Sequence, residues 1–303
     1  MANAFIGGLN GAPTLNRLLA FENFDESAST EIDSFSIEMT ALDGSVLTLT
    51  GNFTSTLQSD WEIYSLSYSD GDTSLVSISG FALPYAEYEA MSGQQLVRRL
   101  FSGDDDISLN LGTGLEIRSR GGNDILRLGA GNDTAWGGAG NDTLTGAGGD
   151  DRLLGGGGRD LLQGGDGSDE LIGGGGRDKL AGGSENDTLL GNKGNDKLFG
   201  GAGNDTLRGG SGQDTLKGGQ SDDLLTGGAG ADVFVFSRND HTDVITDFEI
   251  GIDKIHVKSG ASGMNGVDFD QQGEDVFVYF GNVTITVQNT TVEQLDDASN
   301  FLF

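Results

Sequence analysis

Aspartate recurs at every ninth residue through the middle of this chain, and few architectures accommodate that period. It stands at Asp124, Asp133, Asp142, Asp151, Asp160, Asp169, Asp178, Asp187, Asp196, Asp205, Asp214, Asp223 and Asp232, thirteen times without a miss. Two residues after each comes an apolar side chain: Leu in eleven units, Ala135 in one and Phe234 in the last. Two residues before each comes glycine, except at Glu185 and Ser221, and the residue four before is usually glycine too. Of the 53 glycines in the chain, 36 fall between residues 119 and 236, so the repeat is a different material from its flanks.

The period has a physical reading. Glycine in a helix interior costs about 1 kcal/mol against alanine, so the Gly-rich six residues of each unit are not helix. Glycine permits positive φ and close backbone approach, which makes the six a turn. The last three residues form a short strand whose middle, apolar residue points inward while its neighbours point out. Such a unit buries nothing alone and must stack on copies of itself. Two units make one coil, with a strand on each side and a turn at each edge. Equivalent turns then stack roughly 4.8 Å apart, which sets Asp160 beside Asp142 and Asp178. Carboxylates that close repel by several kcal/mol where water is partly excluded. A cation between the turns relieves this. Carboxylate and carbonyl oxygens are hard ligands that suit Ca²⁺, whereas Mg²⁺ demands a strict octahedron and keeps its water.

The unit, for example Gly155-Gly156-Gly157-Gly158-Arg159-Asp160-Leu161-Leu162-Gln163, resembles the calcium-binding GGxGxDxUx nonapeptide of RTX proteins, a repeat that is itself a standard illustration of this architecture. The resemblance implies an all-β chain centred on a parallel β-roll, with calcium between successive turns. It implies as ligands the thirteen aspartates and the turn glycines Gly122, Gly131, Gly138, Gly140, Gly149, Gly156, Gly158, Gly165, Gly167, Gly174, Gly176, Gly183, Gly194, Gly201, Gly203, Gly210, Gly212, Gly219, Gly228 and Gly230. A site needs two equivalent turns one coil apart, so thirteen turns give at most eleven ions. Departures at Ala147, Glu185, Asn192 and Ser221 put individual sites in question. The family is secreted by Gram-negative bacteria through type I exporters, so the resemblance also implies an extracellular protein and an exporter as partner. A disordered acidic linker is the competing reading of so many Asp and Gly. It gives no reason for leucine to keep one phase, but it describes the expected calcium-free state. Asn141-Asp142-Thr143 matches a glycosylation acceptor only as a by-product of the repeat.

The flanks divide the chain into residues 1–102, 103–236 and 237–303. In the first, apolar alternation at Phe35, Ile37 and Met39, then Val46, Leu47 and Leu49, flanks Asp43-Gly44. A second set, Trp61 to Tyr68 and Leu75 to Ile78, flanks Asp70-Gly71, and together they predict two hairpins of a small β domain. Residues 85–101 read as containing a short helix interrupted at Gly93. Asp106, two periods before Asp124, reads as a degenerate first turn, with Leu115 where its companion aspartate would be. In the last third, Asp243-Val244-Ile245-Thr246-Asp247-Phe248 resembles the segment that follows the repeats in serralysin-type proteins. Val276, Val278, Phe280 and Val283, Ile285, Val287 predict a hairpin around Gly281-Asn282 that caps the roll. The final residues, acidic and then Phe301-Leu302-Phe303, resemble an uncleaved type I secretion signal.

A net charge of −30 argues against nucleic acid and anionic membranes as electrostatic partners. Zero cysteines exclude a disulfide scaffold and a thiol nucleophile, and no apolar run is long enough to cross a membrane as a helix. The sequence shows no HExxH and no GxSxG. The two histidines, His241 and His256, read as surface or strand residues. The expectation is a secreted calcium-binding protein without catalytic residues, whose N-terminal region serves a glycan, a surface or another protein. A membrane-active RTX protein and a small hydrolase or lyase within residues 1–118 are the alternatives.

Overall fold

A computed structural model describes residues 35–40, 45–53, 61–70, 73–84, 103–111, 114, 116–238, 240–258 and 263–303. The expected helix over 85–101, Leu115 and the Asp43-Gly44 turn lie outside the described residues.

The expected two-unit coil is present. Thr143–Gly148 pairs in parallel with Leu161–Asp166, and Arg152–Gly158 with Glu170–Gly176. The strands are longer than the three residues expected, at six or seven each. They run on into the glycines, because the parallel ladder pairs those as well, Gly156 with Gly174 and Gly165 with Gly183. Each strand therefore turns two residues inward. One is the expected apolar residue, and Leu126, Leu144, Leu153, Leu162 and their successors to Leu225 are all 0% exposed. Burying a leucine contributes about 1.5–3 kcal/mol, so the two facing leucine files are the cohesion of the roll. The other inward residue is a glycine, beginning with Gly137 and Gly146.

Among the described residues the coils make two sheets, one of fourteen strands and one of eleven. The first sheet opens with β1 (Phe35–Thr40), β2 (Ser45–Phe53), β3 (Trp61–Asp70) and β4 (Thr73–Pro84). They form an antiparallel meander that contains the two expected hairpins. β4 pairs antiparallel with β5 (Asp106–Leu111), which pairs in parallel with Ile125–Ala130, so the meander leads straight into the roll. At the other end the strands Val276 to Phe280 and Val283 to Val287 form the expected hairpin, with Gly281 at φ 62° in its turn. That hairpin continues the second sheet by parallel pairing of Val283–Val287 with Thr242–Ile245. The first sheet is closed instead by Phe301–Leu302, which pairs in parallel with Lys254–Val257. Before it, a one-turn helix Val292–Leu295 starts from a Thr291/Gln294 capping box. Among the described residues no helix is long and apolar enough to span a membrane.

Candidate metal-binding columns

The thirteen aspartates fall into two columns, one at each edge of the roll. All are buried, at 3% exposure or less. Within a column the backbone N–H of each Asp donates to Oδ1 of the Asp one coil further on: Asp142 to Asp160, Asp160 to Asp178 and Asp178 to Asp196, at 2.8–2.9 Å. The other edge repeats this from Asp151 to Asp169 and from Asp169 to Asp187.

The columns extend beyond the repeat at three places. Asp105 donates to Asp124, Asp223 to Asp243 and Asp232 to Asp253. Their spacings are 19, 20 and 21 residues, so the strict period misses them. Asp106 is therefore not the degenerate first turn. It is displaced to the outer face, where it pairs with Arg127, because one extra residue lies between Asp105 and Asp124. The signal that finds all three is the Asp-x-apolar triplet, since Ile107, Ile245 and Ile255 are each 0% exposed two residues later. Fourteen ladder bonds of this kind occur among the described residues. The ceiling of eleven intervals is too low by the three that these residues add.

The second carboxylate oxygen is the notable one. Oδ2 of Asp124, Asp142, Asp151, Asp160, Asp169 and Asp178, and likewise of Asp187 to Asp232 and of Asp243, is buried without a hydrogen-bond partner. A buried ionised group without a partner is costly and shifts its pKa instead. Burial pushes Asp142, Asp169, Asp178, Asp223 and Asp232 up to about 6. It pushes Asp105, Asp151, Asp160, Asp187, Asp205 and Asp214 up to about 7, and Asp243 up to about 9. At Asp160 the hydrogen bond from Asp142 pulls the other way, and the charges of Asp178 and Asp142 add only a smaller upward push. Desolvation, more than the repulsion along the column expected from the spacing, is thus the main strain on these carboxylates.

The turn glycines take the conformation their position demands. All those expected, except Gly131, have positive φ, from 97° at Gly228 to 142° at Gly176 and Gly230. Gly129, four residues before Asp133 and so in the repeat pattern, joins them at 156° although it is not among the expected ligands. At Gly140 a side chain would overlap the carbonyl oxygen of Gly122 one coil earlier, and at Gly158 that of Gly140. Carbonyls thus point along the roll from turn to turn beside the carboxylates. The departures from the pattern, Ala147, Glu185, Asn192 and Ser221, together with Arg120, keep this backbone at φ 74–86° without being glycine.

A second file of glycines escapes the sequence reading: Gly137, Gly146, Gly155, Gly164, Gly173, Gly182, Gly191, Gly200, Gly209, Gly218 and Gly227, five before each Asp. A side chain at Gly182 would strike Oδ2 of Asp187 and the carbonyl oxygen of Gly200. This file keeps the space around the unpartnered oxygens free of carbon. Ser119 and Leu128 hold the equivalent places in the first coil.

Among the described residues no three His, Cys, Asp or Glu side chains gather into a metal-holding cluster. Each interval brings two carboxylates, so carbonyl or water oxygens would complete any cation's shell. The donors present fit a hard divalent cation: unpartnered carboxylate oxygens beside aligned carbonyls, with nitrogen and sulfur ligands absent from the columns.

A parallel roll with buried aspartate columns on both edges defines the class, a nonapeptide-repeat β-solenoid. Residues 119–239 match the family model of the RTX calcium-binding nonapeptide repeat (four copies), over 119–153, 145–180, 154–189, 181–216 and 208–239. No curated protein matches the chain. Among solved structures, the extracellular lipase LipA from Serratia marcescens is similar at 22% identity over 54% of this chain, with a TM-score of 0.32. This chain spans 40% of the lipase's length. The AlgE6R3 subunit of the Azotobacter vinelandii mannuronan C5-epimerase is similar at 25% identity over 44% of this chain and 81% of its own, with a TM-score of 0.19.

Proposed function

We propose that the roll is a calcium-dependent folding unit in which the two aspartate columns, with the turn carbonyls, hold Ca²⁺ between successive coils. The observation that carries this reading is the run of buried Oδ2 atoms without partners. Bound calcium supplies the positive charge that lets these carboxyls stay ionised inside the roll. Each interior aspartate faces two intervals, and fourteen intervals set the upper limit on ions. Cation affinity then becomes folding free energy, because the stacked turns exist only in the folded state.

Calcium modules that work outside cells have dissociation constants of about 10⁻⁴–10⁻³ M. A roll of that affinity stays open at cytosolic calcium and closes outside. This supports export of an unfolded chain by a type I exporter and an extracellular site of action. In this reading the roll is structural rather than catalytic, and residues 1–102 carry the contact with a glycan, a surface or a protein.

The test is far-UV circular dichroism of chelator-treated protein at pH 8 during titration with calcium, with magnesium as control. A steep gain of β signal with calcium alone is the expected result. Full β signal in chelator would overturn the proposal.

A further inference from the structure

The two edges of the roll carry opposite charge outside the aspartate columns. Between residues 125 and 235 five acidic residues lie outside the columns: Asp150, Asp166, Glu170, Glu185 and Asp222. All five stand in or beside turns of one edge, that of Asp151, Asp169, Asp187 and Asp223. Arg159, Arg177, Lys179, Lys193 and Lys197 stand in or beside turns of the other edge, that of Asp160, Asp178 and Asp196, and all five are exposed. Of the remaining basic residues in this span, Arg127, Arg208 and Lys217 hold the third places of strands. Arg152 adjoins the acidic edge, where Glu170 pairs with it. The acidic rim reaches its column. Asp150 Oδ1 accepts from the N–H of Ser168, next to Asp169. Burial is the main upward push on the Asp169 carboxyl, and the charges of Asp150 and Glu185 add to it. A groove of about 550 Å³ opens at this edge, lined by Asp133, Asp151 and Asp169 of the column and by Asp150 and Glu170 of the rim.

We propose that calcium fills the two edges unequally: the four intervals from Asp133 to Asp205 hold it tightest, and the four from Asp142 to Asp214 hold it weakest. This rests on the reading of the columns as calcium sites and adds what ranks them. Every interval offers the same pair of column carboxylates, so the inner ligands do not set one edge above the other. The rims do. Negative charges around a groove raise the local concentration of a divalent cation, and positive charges lower it. Charge count at the ligands tunes calcium affinity, and exposed charges just outside them act in the same sense through a field that salt screens. A roll graded in this way loosens along its basic edge first when calcium falls, while the acidic edge still laces the coils together.

The experiment follows calcium release from the loaded full chain in low-salt buffer at pH 8. Free calcium is lowered stepwise with a chelator, and bound calcium and far-UV circular dichroism are read at each step. The variants are Arg159→Gln/Arg177→Gln, Asp150→Asn/Asp166→Asn, and a control at exposed positions of the cap, Asp268→Asn/Asp270→Asn. Glu185 is left in place, because its left-handed backbone at φ 77° would mix strain with charge. In the parent the first ions should leave at about tenfold higher free calcium than the last, the order expected of a few unit charges acting on a divalent ion through water. The β signal should hold until the last ions leave. The arginine variant should tighten only the first ions, several-fold, and the aspartate variant should loosen only the last, several-fold, with the control matching the parent. In 1 M salt, where the Debye length is about 3 Å, the spread should close. Release of all ions in one step together with the β signal, or rim variants that move both groups of ions alike, would overturn this proposal and leave the calcium reading standing. A parent that binds no calcium would overturn both.

Discussion

The roll carries two ladders at each edge, side by side, and they differ in which residues they tolerate. In the inner ladder, Asp178 N–H donates to Oδ1 of Asp196 on the next coil. In the outer ladder, one residue earlier, Asn141 N–H donates to Oδ1 of Asn123, and Arg159 N–H to Oδ1 of Asn141, from the later coil to the earlier. Both tie coil to coil through a side-chain oxygen. The outer position accepts Asn123, Asn132, Asp150 or Asp222 alike. The inner one is Asp in every unit. An asparagine makes the inner ladder bond equally well, so the bond does not explain the choice. What the inner position alone has is a carboxylate oxygen sealed from water without a partner, the feature on which the proposed cation column rests.

The widest separation between the two ladders comes with pH. Asp142 and Asp178 have folded-state values of about 6 and Asp160 and Asp214 of about 7, above the ordinary 3.8. A raised value stabilises the fold below 3.8, and the contribution is lost as pH rises through 6–7. The calcium-free chain should therefore gain β structure on acidification below about pH 6 and lose it by pH 8. With saturating calcium the fold should persist at pH 8. Circular dichroism at the two pH values, with and without chelator, measures this.

Next in size is the contrast of Asp178→Ala with Asp178→Asn. The alanine strands the Asp160 N–H, at a cost of about 1–3 kcal/mol, and removes charge from two intervals. The asparagine keeps the bond and removes only the charge. Both should raise the calcium midpoint of folding several-fold and reduce its steepness, with alanine the worse. If the asparagine variant titrates like the parent, the inner ladder is no different from the outer one. Gly182→Ala drives a methyl at Asp187 Oδ2 and the Gly200 carbonyl. Overpacking of this kind costs about 1–3 kcal/mol, and should lower the melting temperature of the calcium-loaded protein. In the outer ladder, Asn141→Ala should cost only about 0.5–1.5 kcal/mol and leave the calcium midpoint unmoved, as thermal melts and a calcium titration would show. The smallest effect is Glu185→Gly. Left-handed backbone costs a side-chain-bearing residue about 1–2 kcal/mol, and the extra freedom of unfolded glycine returns up to about 1 kcal/mol. The two nearly cancel in favour of glycine, so a slightly higher melting temperature is expected.

The repeat made the parallel roll and both columns legible, because one position of each unit carries a charge and the second residue after it carries the core. The cap hairpin was legible from its alternation. Asp243 and Asp253 were not, since the turns before them hold extra residues and a fixed period cannot follow a changing loop. The glycine file from Gly137 to Gly227 was hidden in plain composition. A glycine required for φ looks the same in sequence as one required by a neighbour's oxygen. Only the stacked coils separate the two roles. The strand ends misled for a related reason, because backbone pairing continues through glycines that carry no pattern of their own.

The two sheets end differently, one on the hairpin of Val276 to Val287 and the other on Phe301–Leu302. The length of the array is therefore quantised. A gain or loss of two units together returns every strand to its own sheet and leaves both lids fitting. A change of a single unit, however perfect its sequence, moves each lid to the opposite sheet and leaves the hairpin facing the place shaped for the terminal strand. Growth by duplication is neutral for this architecture only in pairs of units.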